Sequence, residues 1–301
     1  MKKILATLLM AFALTAQAKE TITIIYGFSA SDNAANYSRT LIEEANKLQN
    51  KYTFIFDVKP GGGQAVAVNY IKDHPNTIFM TSGAFWLRPN FYPNESWNVN
   101  EWRTIMTQCN APFSVASVKY KSWKDVPTDK PLNIAVSGLG VFSHMIALQI
   151  AERYPNMTIV PYKSTVDGML ATVSGQVDFT VGFVGDQETW THEESKVKLT
   201  ILGTTGNGVG RYPSLASQGF PRVLTKLDTP YNLMVPKTFD NAKALEIRNI
   251  LIQAEKAKSV RASYAIDFCA PIGVTADKLD SWFNEQNKTV SDLAKGVKLT
   301  Q

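Results

Sequence analysis

Four short segments of the chain concentrate small side chains, hydroxyls and free backbone amides: Gly27-Phe28-Ser29-Ala30-Ser31-Asp32-Asn33, Pro60-Gly61-Gly62-Gly63, Thr81-Ser82-Gly83 and Ser137-Gly138-Leu139-Gly140-Val141-Phe142-Ser143-His144. Small side chains let a bound group approach the backbone, and amide and hydroxyl donors hold an anion without a fixed counter-charge. The chemistry open to such a set is capture of a carboxylate rather than its conversion. No Arg or Lys falls inside the four segments, so hydrogen bonds and not an ion pair would do the holding. Gly and Ser also end ordinary strands, and one such segment alone would mean little.

Reactive constellations fail on inspection. His74, His144 and His192 lie far apart, and none has a second ligand at metal-binding spacing, so no metal site is expected. Ser143 and His144 are adjacent, point apart and lack a Gly-x-Ser-x-Gly elbow, which leaves His144 a structural residue and the chain without a catalytic residue. Gly138-Leu139-Gly140 misses the third glycine of a dinucleotide turn, so no cofactor is expected either. Asp32 stands where it can cap a helix beginning near Ala34 or face a ligand, and helix N-terminal preferences favour the cap. Phe85, Trp86 and Phe142 flank the segments and could line an apolar pocket, although core packing is the commoner fate of such rings.

The elements that must position these residues alternate. Thr21–Tyr26 reads as a strand, and residues 34–50 read as a helix with apolar positions at Tyr37, Leu41, Ala45 and Leu48. Phe54–Val58, Thr77–Met80 and Asn133–Val136 read as short buried strands, each followed by Gly or Ser and then helix formers. That alternation predicts an α/β fold with open sheets. In such sheets ligands sit beyond the carboxyl ends of the strands, which is where the four segments stand.

At the N-terminus Lys2 and Lys3 precede an apolar run from Ile4 to Ala13, and Ala16-Gln17-Ala18 offers the small residues of a cleavage site. This is the pattern of a secretory signal cut after Ala18, with an apolar run shorter than the ~20 residues that span a bilayer. No Cys follows the cut to carry a lipid, so a free periplasmic protein is expected. About 283 residues then remain, enough for two modest domains. Loss of the two lysines lowers the net charge from +5 to +3, with Lys and Arg scattered, which leaves no nucleic-acid or membrane footprint. The mild positive charge weakly favours anionic ligands by steering. Cys109 and Cys269 could bridge in an oxidising compartment, but two buried thiols is the expectation from sequence, with distance to decide.

Order and spacing of several motifs carry a resemblance. Arg39 and Leu41 follow Phe28-Ser29-Ala30; Lys59-Pro60-Gly61-Gly62-Gly63 is followed by Thr81-Ser82-Gly83 through Pro89 and Tyr92. Ser137-Gly138-Leu139-Gly140 with Ser143-His144 precedes Val160-Pro161-Tyr162-Lys163 and Gly175-Gln176-Val177-Asp178, and Tyr212-Pro213-Ser214-Leu215 precedes Gly219-Phe220-Pro221. From about Ile22 to near the C-terminus the chain resembles the substrate-binding receptors of tripartite tricarboxylate transporters, the Bug family. The resemblance implies a two-lobed Venus flytrap in which each lobe is an α/β sheet flanked by helices. Lobe one would comprise residues 19–116 and 232–301 and lobe two residues 117–231, with crossings near Ala116 and Tyr231.

The resemblance also implies a ligand and partners. A small organic acid would sit in the cleft, its proximal carboxylate held by Phe28, Ser29, Ala30, Ser31, Asp32 and Asn33, by Thr81, Ser82 and Gly83, and by Ser137, Gly138, Leu139, Gly140, Ser143 and His144. There would be no catalytic step. A monomeric receptor would deliver the acid to a membrane permease with one large and one small subunit. Departures from the pattern point to an unusual ligand: Ser31-Asp32 and Ala35 replace the usual Gly-Gly and later Asp, Val141 stands where Ser is frequent, and Gly182 stands near a common acid. A ligand sensor feeding a signalling kinase is the alternative reading, and an enzyme on the same scaffold is a more distant one.

Overall fold

Strands with both faces buried must be covered by helices, and the chain obeys this twice. In a computed structural model, which describes residues 19–95, 97–192, 197–295 and Val297, two mixed sheets flanked by helices form two lobes. The residues carrying the expected export signal lie outside the described residues. Among the described residues no helix is long and apolar enough to cross a membrane.

The first sheet opens with β1 (Glu20–Tyr26), α1 (Asn33–Leu48), β2 (Tyr52–Val58), α2 (Ala65–Lys72), β3 (Thr77–Thr81) and α3 (Ala84–Phe91). β1 pairs in parallel with β2 and β3, so the helices are crossovers and the carboxyl ends of all three strands point one way. α1 buries Ala34, Ala35, Tyr37, Ser38, Leu41, Ile42 and Ala45, a stripe at helical spacing that lies on the sheet. β4 (Trp102–Ala111) completes the outward path. β10 (Thr229–Pro236) later returns antiparallel between β3 and β4, and the two-residue β11 (Ala270–Pro271) pairs on the other edge of β4, giving the order β11-β4-β10-β3-β1-β2.

The second sheet runs through β5 (Phe113–Ser117), β6 (Leu132–Val136), α4 (Phe142–Ala151), β7 (Met157–Pro161), α5 (Thr165–Val173), β8 (Phe179–Phe183), α6 (Val184–Glu188) and β9 (Thr200–Thr204). Its order is β7-β6-β8-β5-β9, with β6 parallel to both β7 and β8. Only Pro112 separates β4 of one sheet from β5 of the other. Proline donates no ladder hydrogen bond, so the chain can leave one sheet and join the next there. Ala116 itself lies inside β5, paired with Thr180 and Ile201, and the return reaches the first sheet at Thr229.

After β10, α7 (Asn241–Glu255) and α8 (Lys258–Ile266) pack on the first lobe, and α9 (Leu279–Lys295) closes against α3. Phe85 and Trp86 lie wholly in this core, Trp86 edge-on to Trp282 and Phe283 with ring centroids 5.7 Å apart. They pack the fold and are not among the residues that line the cavity between the lobes.

The expectation of two free thiols is wrong. β11 (Ala270–Pro271) pairs antiparallel with β4, setting Pro271 opposite Cys109, and Cys269 forms a disulfide with Cys109 at a Cα separation of 5.3 Å. A ladder between strands 160 residues apart is a tertiary fact that local sequence does not carry. The bridge ties the C-terminal return to the strand that leaves for the second lobe. Replacing both cysteines by serine is expected to leave a folded protein, because the hydrophobic core is large, but to cost about 2–4 kcal/mol of stability. Denaturant unfolding of the oxidised wild type and the double variant measures this; equal midpoints would refute the contribution.

Candidate ligand-binding cleft

Because β1, β3, β6, β7 and β8 end toward the gap between the lobes, the segments that follow them converge there. They enclose a cavity of about 20 Å³, room for about one water molecule and far below the ~300–1,000 Å³ typical of occupied small-molecule sites. The first lobe contributes Tyr26, Phe28 and Asp32 after β1, Ser82 and Ala84 after β3, and Thr229 at the start of β10. The second contributes Ser137, Val141, Phe142 and Ser143 after β6, Thr165 after β7, Phe183 at the end of β8 and Phe113 at the start of β5.

Of the residues expected from sequence, Phe28, Asp32, Ser82, Ser137 and Ser143 therefore meet at the cavity. The rest support it or stand apart. Ser29 and Ser31 join hydroxyls at 2.8 Å on the exposed side of the loop, beside exposed Ala30. Thr81 donates its hydroxyl to Gln64 at 2.7 Å, and the Gly83 N–H donates to Thr229 Oγ1 at 2.7 Å, which orients the Thr229 side chain at the cavity wall. The Leu139 carbonyl accepts from Arg88 at 2.9 Å across the cleft. Gly138, in the left-handed region at φ 121°, shapes the turn without touching another residue at its Cα face. His144 accepts the Gly140 N–H at 3.1 Å, and burial lowers its pKa to about 4, so it is a neutral structural acceptor.

The Ser137 N–H donates to Ser143 Oγ at 3.0 Å, and the two hydroxyls share a hydrogen at 2.9 Å. This pair fixes the turn after β6 and presents hydroxyl edges to the cavity. Phe113 and Phe183 stack at 4.4 Å between centroids, with Phe142 at 6.5 Å from Phe113. The sequence reading missed Tyr26, Ala84, Phe113, Thr165, Phe183 and Thr229. Strand-end position was the signal available for Phe113 and Phe183, which flank the two passages of β5 and β8.

Asp32 overturns the capping expectation. Its backbone carbonyl accepts from the N–H groups of Ala35 and Asn36 at 2.9 and 3.3 Å, so it stands at the start of α1, but its side chain makes no capping bond. Instead Oδ2 accepts the Tyr26 hydroxyl at 3.2 Å, and the residue is 1% exposed. The carboxylate that meets the first turn of α1 comes from the other lobe: the Asn33 N–H donates to Asp186 Oδ1 at 3.0 Å, and Thr165 donates to Asp186 Oδ2 at 3.4 Å. Asp267, fully buried at the end of α8, lies behind the Asn33 side chain.

Burial raises all three acids. It pushes Asp186 up to about 6, against the opposing bonds from Asn33 and Thr165. Asp32 and Asp267 are pushed well up by burial and then by the Asp186 carboxylate, with Tyr26 opposing at Asp32 and Asn33 at Asp267. Yet among the described residues no group of three or more His, Cys, Asp or Glu side chains is placed to hold a metal ion. Close contacts hold the lobes together here. A Cβ on Gly185 would fall 2.4 Å from Asp267 Cα, and one on Gly140, already at φ 74°, would fall 2.7 Å from the Tyr92 ring. Only glycine permits either approach.

No family model matches the sequence, and no curated protein matches it by sequence. The fold is nevertheless similar to that of solved periplasmic binding proteins. It superposes on the periplasmic binding protein BugD with a TM-score of 0.80 at 16% identity, over 92% of this chain and 97% of that one. A protein from R. palustris with adipate gives 0.79 at 14% identity, covering 93% and 97%. MatC from Rhodopseudomonas palustris with bound malate gives 0.77 at 15% identity, covering 91% and 99%. The two-lobed α/β fold expected from sequence is thus the fold of solute-binding proteins.

A pH dependence follows from the buried acids. The ordinary value for Asp186 is 3.8 and its folded value about 6, so between these the unfolded state has already lost a proton that the folded state keeps. Stability then falls as pH rises through this window, levels off for Asp186 above it, and continues to fall where Asp32 and Asp267 ionise. The Asp186 share is on the order of 3 kcal/mol. Thermal midpoints recorded from pH 4 to 8 should decline in the wild type and decline less in Asp186→Asn; parallel slopes would show that Asp186 does not titrate as described.

Proposed function

We propose that the protein is a periplasmic solute-binding receptor of the tripartite tricarboxylate transporter type, which captures a small organic acid between its lobes and delivers it to a membrane permease. The observation that carries this reading is the cavity itself, built by strand ends of both sheets and lined by the hydroxyls of Ser82, Ser137, Ser143, Thr165 and Thr229. Donors from two lobes that converge on one small space serve capture by closure. Adipate and malate in the similar structures are ligands of the matching chemical class. His144 is tied up as an acceptor and its pKa lowered, so Ser143 has no base beside it and a hydrolytic reading gains nothing.

In this reading lobe one runs from residue 19 to the Pro112 passage and resumes near Thr229, and the receptor works as a monomer whose closed form the permease recognises. Export through the N-terminal signal places it in the periplasm. The signal and the four ligand segments together support that compartment and role.

A thermal-shift screen of the mature chain against small organic acids tests the reading. A true ligand at a hundred times its dissociation constant stabilises by about 2.7 kcal/mol. Ser82→Ala and Ser137→Ala should each weaken the hit about tenfold to a hundredfold, the loss expected for a hydrogen bond to a charged group. Calorimetry that finds both variants unchanged would remove the hydroxyls from the binding site.

A further inference from the structure

We propose that the solute carries, besides its carboxylate, a protonated nitrogen that docks on Asp32, with its apolar part against Phe113, Phe142 and Phe183: a small zwitterion rather than a dicarboxylate. This rests on the receptor reading above and names the ligand class for the same cleft.

Asp32 is the acid that lines the cavity, at 1% exposure. Oδ2 is occupied by the Tyr26 hydroxyl, whereas Oδ1, buried, has no hydrogen-bond partner among the described residues. A buried carboxylate oxygen left without a donor costs stability, so it persists where something else uses it. Structural duty accounts for Oδ2, through Tyr26, and not for Oδ1. The backbone carbonyl of Asp32 does the work at the start of α1, and Asp186 meets the Asn33 N–H.

The surroundings favour a cation beside Asp32. No Lys, Arg or His side chain lines the cavity among the described residues, and the next charged group behind Thr165 is Asp186, another acid. A second ligand carboxylate placed here would meet two acids in a dry site, where like charges repel strongly. An ammonium group supplies the donor that Oδ1 lacks and offsets the burial that opposes the charged form of this carboxyl. Aromatic faces add attraction for a cation, and Tyr26, Phe28 and Phe113 all reach the cavity. The same lining also carries Ser82, Ser137 and Ser143, whose hydroxyls suit an anion, so the cavity offers an acid to a cation and hydroxyls to a carboxylate.

Three series of compounds on shared carbon skeletons test this by calorimetry with the mature chain at neutral pH. The first is glycine, alanine, valine, phenylalanine and γ-aminobutanoate. The second replaces the ammonium by hydroxyl: glycolate, lactate, α-hydroxyisovalerate, phenyllactate and γ-hydroxybutanoate. The third replaces it by carboxylate: malonate, methylmalonate, isopropylmalonate, benzylmalonate and glutarate. The best amino compound is expected to bind at least about tenfold more tightly than its hydroxy and dicarboxylate counterparts, in keeping with a charge-assisted bond. Asp32→Asn, which keeps the shape and can still accept from Tyr26, should erase that preference by weakening the amino compound at least about tenfold.

A wild type that prefers dicarboxylates or hydroxy acids overturns the inference and leaves the receptor reading standing, whether or not the variant folds. Retention of the amino preference in folded Asp32→Asn also overturns it. Failure of all three series to bind overturns both readings.

Discussion

The backbone N–H of Asn33 meets the carboxylate of Asp186 at 3.0 Å across the cleft, and this contact ties the first helix of one lobe to the other lobe. The first amides of a helix have no partner within it and carry the positive end of its dipole, so an acid placed there is favoured. Here the acid belongs to α6 of the other lobe. The helix start that most chains satisfy locally is satisfied only when the lobes meet. Gly185 makes this possible, because any side chain at that position would collide with Asp267 before Asp186 could reach Asn33.

With the first turn of α1 served from across the cleft, the Asp32 side chain is released from capping and turns to Tyr26 and the cavity. This is why sequence reading misplaced it. Asp just before a helical stretch predicts a cap on local preference, and nothing within ten residues reveals that a second carboxylate, from residue 186, will take the position. The position of the loop was legible and the direction of its side chain was not.

The same division runs through the rest of the molecule. Strand runs such as Thr77–Thr81, and the helical stripe from Ala34 to Ala45, are written in local periodicity, and so the α/β fold and the loops after β1, β3 and β6 could be read. Ser82, Ser137 and Ser143 were found because small polar residues at strand ends are a local signal. Phe113, Phe183 and Thr229 were not, since each reaches the cavity only through how β5, β8 and β10 are threaded into their sheets. The Cys109–Cys269 bridge failed for the same cause, being set by a two-residue strand pairing with β4. Local pattern fixes elements, and long-range pairing decides which of their ends become neighbours.

Closing the lobes gathers Asp32, Asp186 and Asp267 into one dry region, and burial opposes their charged forms. The closed state therefore favours the protonated form of each acid more than an opened, hydrated cleft would. Two kinds of partner can relieve the cost: protons, or a cationic group seated beside Asp32. Whatever binds the closed form more tightly than the open one shifts the balance by that difference alone. A neutral, purely apolar solute would fill space without touching this electrostatic penalty. A solute that brings positive charge to Asp32 and a carboxylate to the serine hydroxyls acts on it directly, so in this architecture the acids that disfavour an empty closed cleft are also what make closure depend on what is inside it.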